Sequence, residues 1–505
     1  MPTKKTAKVV CKKATAKPAA KPAAKATRSN TGRQTVAILG FGIQARTGLV
    51  PQFLKAGTAV LTICDCDRTR RAAGVKMVND FYAANGAPEL VGLCKEEADF
   101  RNVLKDPDVQ MVCVSAPDHW HAYMSIEAMK AGKDVYCEKP LTYSVEEAVL
   151  VMKAQKKYKR IFQCGAMQRS WREFRTACMI VRNGFIGEIQ NVDCNYGQGT
   201  NAPLLGGPSQ PHRFYSDLAN AEKEGAPNPD VDWDMWLGPA PWSPYSDQCA
   251  PRGVHTFWPM FWRFDDAFAT GYNGDWGAHH LDIAQWGLDL DKSGPVKVIC
   301  STEPHSTNPI HGCRRQQGMK FVLENGCVIH HNPFSTWGTV FYGTKGVVAV
   351  NRGKIGVWKG RGVKPTEKVR KEIADGTFKG MKCVAASIGR DYGTDTAQKK
   401  DNALDAALET LEKFFDLENA PLQLYKVPGG RHVENFVLCC KSRKPTIAPA
   451  ETGARAAILT QLCNISYVYD SGFDWDPKKC TFANGTGDPL WLKRPVYRNG
   501  WNITL

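Results

Sequence analysis

Between residues 35 and 140 the apolar positions come in short unbroken blocks rather than in alternation. Thr35-Val36-Ala37-Ile38-Leu39 opens the series; Ala59 to Cys64, Val109 to Val114 and Asp134 to Cys137 continue it. Blocks this short, rich in β-branched residues and with no polar side, predict strands buried on both faces. The stretch from Arg46 to Lys55 and the one through Ala128-Met129 read as helices, and Lys105-Asp106-Pro107-Asp108 reads as a turn. Strands alternating with helices at this spacing predict a doubly wound parallel sheet. Residues 1–34, a Lys/Ala/Pro repeat, have almost nothing to bury and are predicted to be disordered. The chain therefore divides into a basic tail (1–34), a first α/β domain (35–160) and a longer second unit (161–505).

The first block runs directly into Gly40-Phe41-Gly42-Ile43-Gln44-Ala45, a G-x-G-x-x-A turn. In a strand–turn–helix context its first glycine permits the tight turn and its second lets the backbone approach a pyrophosphate. The alanine lets the helix pack closely. The helix N-terminus behind it then faces the phosphates. The second block ends in Asp65, where a carboxylate accepts hydrogen bonds from an adenosine ribose and repels a 2′-phosphate. This pattern predicts NAD rather than NADP. Ligands of such sheets sit at the carboxyl ends of the strands. Gly40, Phe41, Gly42, Ile43, Gln44, Asp65, Ser115, Pro117, His121, Glu138 and Lys139 are accordingly the expected cofactor residues.

Composition changes this picture in only two places. The 505 residues carry 66 Lys+Arg against 50 Asp+Glu, but the tail holds eight Lys, two Arg and no acid. Ten of the sixteen net positive charges thus belong to the tail, where they predict weak, salt-sensitive contact with anions. The 18 cysteines form no C-x-x-C pair, so no metal is expected, and they suggest reduced thiols. There is neither a run of 18 apolar residues nor a signal-peptide core, so no membrane partner is expected and a cytoplasmic location is.

The glycine turn, Ala116-Pro117…His121, Ala131-Gly132-Lys133-Asp134-Val135 and Glu138-Lys139-Pro140 resemble the glucose–fructose oxidoreductase / inositol dehydrogenase / MocA family. Asn273-Gly274-Asp275-Trp276-Gly277-Ala278-His279-His280-Leu281-Asp282 resembles that family's D-x-x-x-H helix. His432-Val433-Glu434-Asn435-Phe436, Trp475-Asp476-Pro477 and Tyr497-Arg498 look like a long-tailed branch. The resemblance implies a second, α+β domain with an open, mostly antiparallel sheet. One face of that sheet would look toward the nicotinamide and the other would form a homo-oligomer, a dimer or tetramer. It also implies that the catalytic group is Lys139, Asp275 and His279.

Residue chemistry agrees with that group. Lys139 follows a buried strand and precedes a proline that cannot continue the ladder, which turns it into the cleft. Asp275 and His279 stand at i and i+4, on one helix face. An imidazole with its ordinary value near neutrality suits a general base for a substrate hydroxyl. Aromatic residues crowd the stretch Trp233, Trp236, Trp242, Tyr245, Phe257, Trp258, Phe261, Trp262, Phe264, Tyr272 and Trp276, and sugar rings stack on such side chains. Arg169, Arg263 and His280 are the expected polar substrate contacts. The predicted activity is hydride transfer between NAD and a hydroxyl of a sugar, sugar derivative or cyclitol. The alternative is a glycosidase that oxidises transiently and eliminates.

Overall fold

The structure, a computed structural model, describes residues 27–196, 228–247, 249–255, 261–265, 267–301, 318–331, 335–387 and 401–505. Six parallel strands make the first sheet: β1 (Thr35–Leu39), β2 (Ala59–Cys64), β3 (Lys95–Glu97), β4 (Met111–Val114), β5 (Asp134–Cys137) and β6 (Phe162–Cys164). Their order is β3-β2-β1-β4-β5-β6, so the strand order reverses between β1 and β4, where a cleft opens at the carboxyl ends. Between them run α1 (Val50–Lys55), α2 (Arg68–Ala84), α3 (Phe100–Lys105), α4 (Asp118–Lys130) and α5 (Val145–Tyr158). β1, β2, β4 and β5 are buried at every position, as their unbroken apolar blocks require.

Two of the expected boundaries move. The sixth strand lies beyond residue 160, so the parallel sheet extends to Cys164. The predicted disorder ends before residue 34: Arg28 donates to the carbonyls of Leu61 (2.5 Å) and Leu93 (2.9 Å) and pairs with Asp106. A single guanidinium that seeks buried carbonyls leaves no trace in composition or periodicity. Residues 1–26 of the predicted tail lie outside the described residues.

The second sheet has ten strands. They are β7 (Ile189–Cys194), β8 (Lys297–Ile299), β9 (Lys320–Val322), β10 (Val328–His331), β11 (Thr339–Gly343), β12 (Gly346–Asn351), β13 (Lys354–Lys359), β14 (Lys382–Ser387), β15 (Phe473–Asp476) and β16 (Thr481–Phe482). All neighbours are antiparallel except β7 and β10. Around it lie α6 (Arg172–Arg182), the short α7 (Trp233–Leu237), α8 (Ala278–Gly287), α9 (Glu367–Ala374), α10 (Asn402–Phe414), α11 (His432–Ser442) and α12 (Ala450–Val468). Period-two alternation splits the central strands. Phe341, Val348, Val350, Ile355 and Val357 pack inward, in one core with residues of α6, α8 and α12. Val340, Tyr342, Val347, Ala349 and Trp358 point the other way. There the chain covers them itself, with Ile373 of α9, Phe378 and Met381. The face that the resemblance assigned to a homo-oligomer is thus occupied over β11–β13. The second unit also returns to the first. Val433, Phe436 and Val437 of α11 share a core with Val36, Ile38 and Phe53, and Trp501 packs against Phe100, Trp120 and Tyr123.

Among the described residues no helix is long and apolar enough to cross a membrane.

Candidate active site

A cavity of about 570 Å³ runs along the carboxyl ends of β1, β2, β4 and β5 and continues beneath the segments that precede α8. At its floor is the glycine turn. Gly40 has φ +92°, and a Cβ there would meet the Ser115 carbonyl oxygen at 2.6 Å, so only glycine fits. Gly42 has nothing within 4 Å of its missing Cβ, which leaves the backbone open to a ligand. Asp65 closes one end of this turn. Its carboxylate accepts from the Phe41 N–H (2.7 Å) and the Asp67 N–H (2.8 Å), which fixes the β1 and β2 exits together. An open backbone cradle beside a fixed carboxylate fits a dinucleotide: Gly40, Gly42 and Ile43 would hold the pyrophosphate and Asp65 the adenosine ribose.

A strap from the second unit roofs this end. This strap, residues 228–247 and 249–255, begins against the β2–α2 turn: the Arg68 N–H donates to the Asp230 carbonyl (2.8 Å) and the Asp232 N–H to the Cys66 carbonyl (3.1 Å). Further along, Arg70 donates to the carbonyls of Pro251 (2.7 Å) and Gly253 (3.3 Å), and Arg46 to that of His255 (2.6 Å). Gly238 lies against Trp120, and Trp236 offers its carbonyl to both His119 and Trp120. Cys249, Pro251 and His255 thereby join Asp65 and Arg70 in lining the cavity.

At the opposite end Lys139, Asp275 and His279 meet. Lys139 Nζ donates to Asp275 Oδ1 (2.5 Å) and to the Asp275 carbonyl (3.0 Å). Arg263 Nε lies 3.9 Å from the same carboxylate. Burial alone would raise the Asp275 pKa, but Lys139 and Arg263 outweigh it and hold the carboxyl below its usual range. His279, one turn further, is 5% exposed, and its Nδ1 has no hydrogen-bond partner among the described residues. Burial, then the positive charges of Arg352 and Lys139, push its pKa well below the ordinary imidazole value. The near-neutral base expected from the sequence is therefore a ring held uncharged.

The remaining expected residues divide. Gln44, Ser115, Pro117, His121, Glu138 and Arg263 line the cavity. His121 does so as a buried clamp whose ring nitrogens face the carbonyls of Pro140 (2.6 Å) and Ala116 (2.9 Å); burial takes it down to about 4. Glu138, raised by burial, accepts from Tyr136 Oη at 3.3 Å. Phe41 contributes only backbone, because its ring lies beneath α2 at Gly74.

Arg169 and His280 do not reach the cavity. Arg169, 1% exposed, forks onto Asp282 (2.8 Å) and Asp291 (2.7 Å), and these ion pairs occupy the donors meant for a substrate. His280 is turned about 100° from His279 by helix geometry and stacks on Trp276. Of the aromatic residues, Trp236, Trp262, Tyr272 and Trp276 line the cavity, Trp233 and Tyr245 pack in a local core, and Trp242 is exposed. Phe257 and Trp258, and the side chains of Phe261 and Phe264, lie outside the described residues.

Two cavity residues escape a sequence reading. Arg352 sits in the β12–β13 turn, where an arginine reads as solvated; instead it lies over Trp276 (4.8 Å) and Trp171 (5.4 Å) and donates to Gln168 (3.0 Å). Asp118 opens α4 and reads as an ordinary helix-start acid. Only its place beyond the carboxyl end of β4 signals otherwise.

Comparison with known proteins agrees with this fold. Inositol 2-dehydrogenase of Salmonella paratyphi B is 29% identical over 164 residues, 32% of this chain and 44% of that protein. Levoglucosan dehydrogenase of Pseudarthrobacter phenanthrenivorans is 30% identical over 145 residues, 28% and 36% respectively. The chain thus spans less than half the length of these curated relatives. In fold, the structure of levoglucosan dehydrogenase in complex with NADH and levoglucosan matches with a TM-score of 0.51 at 16% identity, covering 87% of this chain and 99% of that one. The family model described as an oxidoreductase family with an NAD-binding Rossmann fold matches residues 34–166, and its C-terminal alpha/beta domain matches residues 211–346. These two models together cover more than half of the chain, which therefore belongs to the Gfo/Idh/MocA family of NAD-binding oxidoreductases.

Proposed function

We propose that this protein oxidises a hydroxyl of a sugar, sugar derivative or cyclitol, or reduces the corresponding carbonyl. The observation that carries the reading is the closure of Lys139, Asp275 and His279 on one cavity that also holds the open glycine turn. NAD bound there supplies the hydride acceptor. Lys139, fixed by two hydrogen bonds to Asp275, has one ammonium proton left to orient a substrate oxygen. In the reverse direction its charge stabilises the oxyanion that develops on a carbonyl. His279, uncharged, accepts a hydrogen bond from the substrate hydroxyl. Trp262, Tyr272 and Trp276 offer apolar faces to a ring, and Arg263 and Arg352 add polar contacts. The inositol and levoglucosan dehydrogenases among the relatives support a polyhydroxylated substrate.

The test is to assay the purified protein for bound nicotinamide by absorbance and mass, then to follow NADH formation over a panel of sugars and cyclitols. NADH formed in proportion to a polyol is the expected result. Free sugar released from a glycoside with no net NADH would replace this reading with transient oxidation and elimination.

A further inference from the structure

The strap is bonded to both flanks of the cofactor cleft. On one flank it meets the β2–α2 turn, where Val231 also bridges to Asp67, and its later carbonyls accept from Arg70 and Arg46. On the other flank the Trp236 carbonyl accepts from His119 (2.9 Å) and Trp120 (3.1 Å) of α4. Met235 and Trp236 line the cavity together with Gly40 and Asp65. A dinucleotide laid on the glycine turn has the strap across it, so the strap has to lift for the cofactor to enter or leave.

The α4 flank is fastened by the far end of the chain, residues 494–501. Arg494 plants one end of that segment: its Nε donates to Glu147 Oε1 of α5 (2.8 Å) and its Nη2 to the His119 carbonyl (3.2 Å). Trp501 plants the other end, edge-on to Trp120 with ring centres 5.0 Å apart. Held at both ends, the segment grips α7 with its middle. Arg498 Nη1 donates to Asp234 Oδ1 (2.5 Å) and Nη2 to the Asp234 carbonyl (2.8 Å), while Asn499 Nδ2 lies 3.4 Å from the same carboxylate. The Arg498 N–H donates to the Pro239 carbonyl (3.2 Å). Between these contacts is Gly238, with φ +49°; a Cβ there would meet the Trp120 ring at 2.0 Å, so the strap is pressed onto α4.

We infer that residues 494–501 are the clasp of the strap, and that NAD enters and leaves when Arg498 and Asn499 release Asp234. The inference goes beyond the proposed oxidation, because it concerns the cofactor alone and holds whatever the substrate is. The planted ends and the grip differ in strength. The side chains of Arg494 and Glu147 are 2% and 1% exposed, and breaking so buried a pair is costly. The Asp234 side chain is 66% exposed, and an ion pair with one partner in water is weak and screened by salt. The segment therefore stays in place while its grip on the strap opens and closes. Where the closed form predominates with and without cofactor, such a gate slows entry and release by the same factor and leaves affinity nearly unchanged.

The test follows NADH into the full chain by stopped flow, through energy transfer from the cavity tryptophans, and out again against excess NAD. Arg498→Ala should speed both entry and release on the order of tenfold, the scale of lost charged hydrogen bonds. Asp234→Asn, which removes only the charge, should speed both about threefold. In each variant Kd should stay within about twofold of the wild type, because the two rates rise together. Raised salt should speed release from the wild type by about the same factor as Asp234→Asn and leave that variant unmoved. If Arg498→Ala does not fold, Asp234→Asn, changed at an exposed carboxylate, carries the test. Unchanged rates in Asp234→Asn overturn the clasp. So does faster release with entry unchanged, which would make the strap a wall of the binding site and not its gate. These rates need no substrate: a panel in which no polyol reduces NAD removes the proposed function and leaves the clasp standing, whereas the clasp can fail with turnover intact.

Discussion

Lys139 concentrates the consequences at the scale of single residues. Lys139→Met keeps an unbranched side chain, one atom shorter, and removes its donors. It is expected to cost kcat on the order of 100-fold, with NAD affinity nearly intact, because the glycine turn and Asp65 lie at the other end of the cavity; stopped-flow turnover beside a cofactor titration checks it. Asp65 makes a second case. Its charge should favour NAD over NADP by at least about 100-fold, or roughly 2.7 kcal/mol. Three arginines follow it, and from the sequence they look able to welcome a 2′-phosphate once Asp65 is gone. The structure engages all three: Arg68 with Asp230, Arg70 with the strap carbonyls and Arg71 with the Asp65 carbonyl. Asp65→Ser should therefore weaken NAD while raising NADP affinity less than tenfold, since it also releases the Phe41 and Asp67 N–H groups. Titrating both cofactors at fixed salt tests this. These residues mark where the sequence was legible. Gly40, Asp65, Lys139 and Asp275 occupy positions that strand ends and helix spacing dictate. Arg169 was misread because a guanidinium near a sugar site and one locked between Asp282 and Asp291 look alike until the fold brings the aspartates round.

At the scale of elements, the parallel sheet was readable through β1, β2, β4 and β5, which are buried at every position and spell that out as unbroken apolar runs, whereas the polar, largely exposed β3 carries no such signal. The second sheet was not, since β8, β9 and β16 have only two or three residues each and mixed burial. Its partners were also hidden: nothing in the α9 sequence says that Ile373 will cap Trp337, whose Nε1 donates to the Ile373 carbonyl (3.0 Å). That cap makes a prediction. Ile373→Asp puts a charge where Trp337, Tyr342 and Trp358 are sealed, and should cost more than about 2 kcal/mol, by analogy with large core truncations. It should also bring concentration-dependent self-association in light scattering, as a flat aromatic face becomes available. If the variant stays as dispersed and as heat-stable as the wild type, α9 does not seal this face.

At the scale of the whole molecule, the two units are interlocked rather than strung together. The strap crosses from the second to the first, while α11 and the final segment return to it as well. Cooperative unfolding of both units follows, and so does a specific truncation behaviour. Deleting residues 1–26 should leave melting temperature and turnover unchanged. Deleting 1–33 removes Arg28 and its hydrogen bonds to Leu61 and Leu93, and should lower the midpoint by about 1–3 °C, on the scale of about 1–3 kcal/mol for a lost charged hydrogen bond in a chain of this length. Differential scanning calorimetry of the two truncations separates the cases. Arg28 is planted beside Asp106 and Thr62, toward the edge where the parallel strands begin, whereas the cavity opens where they end. The basic segment is therefore tethered to the back of the enzyme. If its lysines rest on a polyanion or a charged surface, the protein is held by its back, with its mouth facing the solution from which a substrate must arrive.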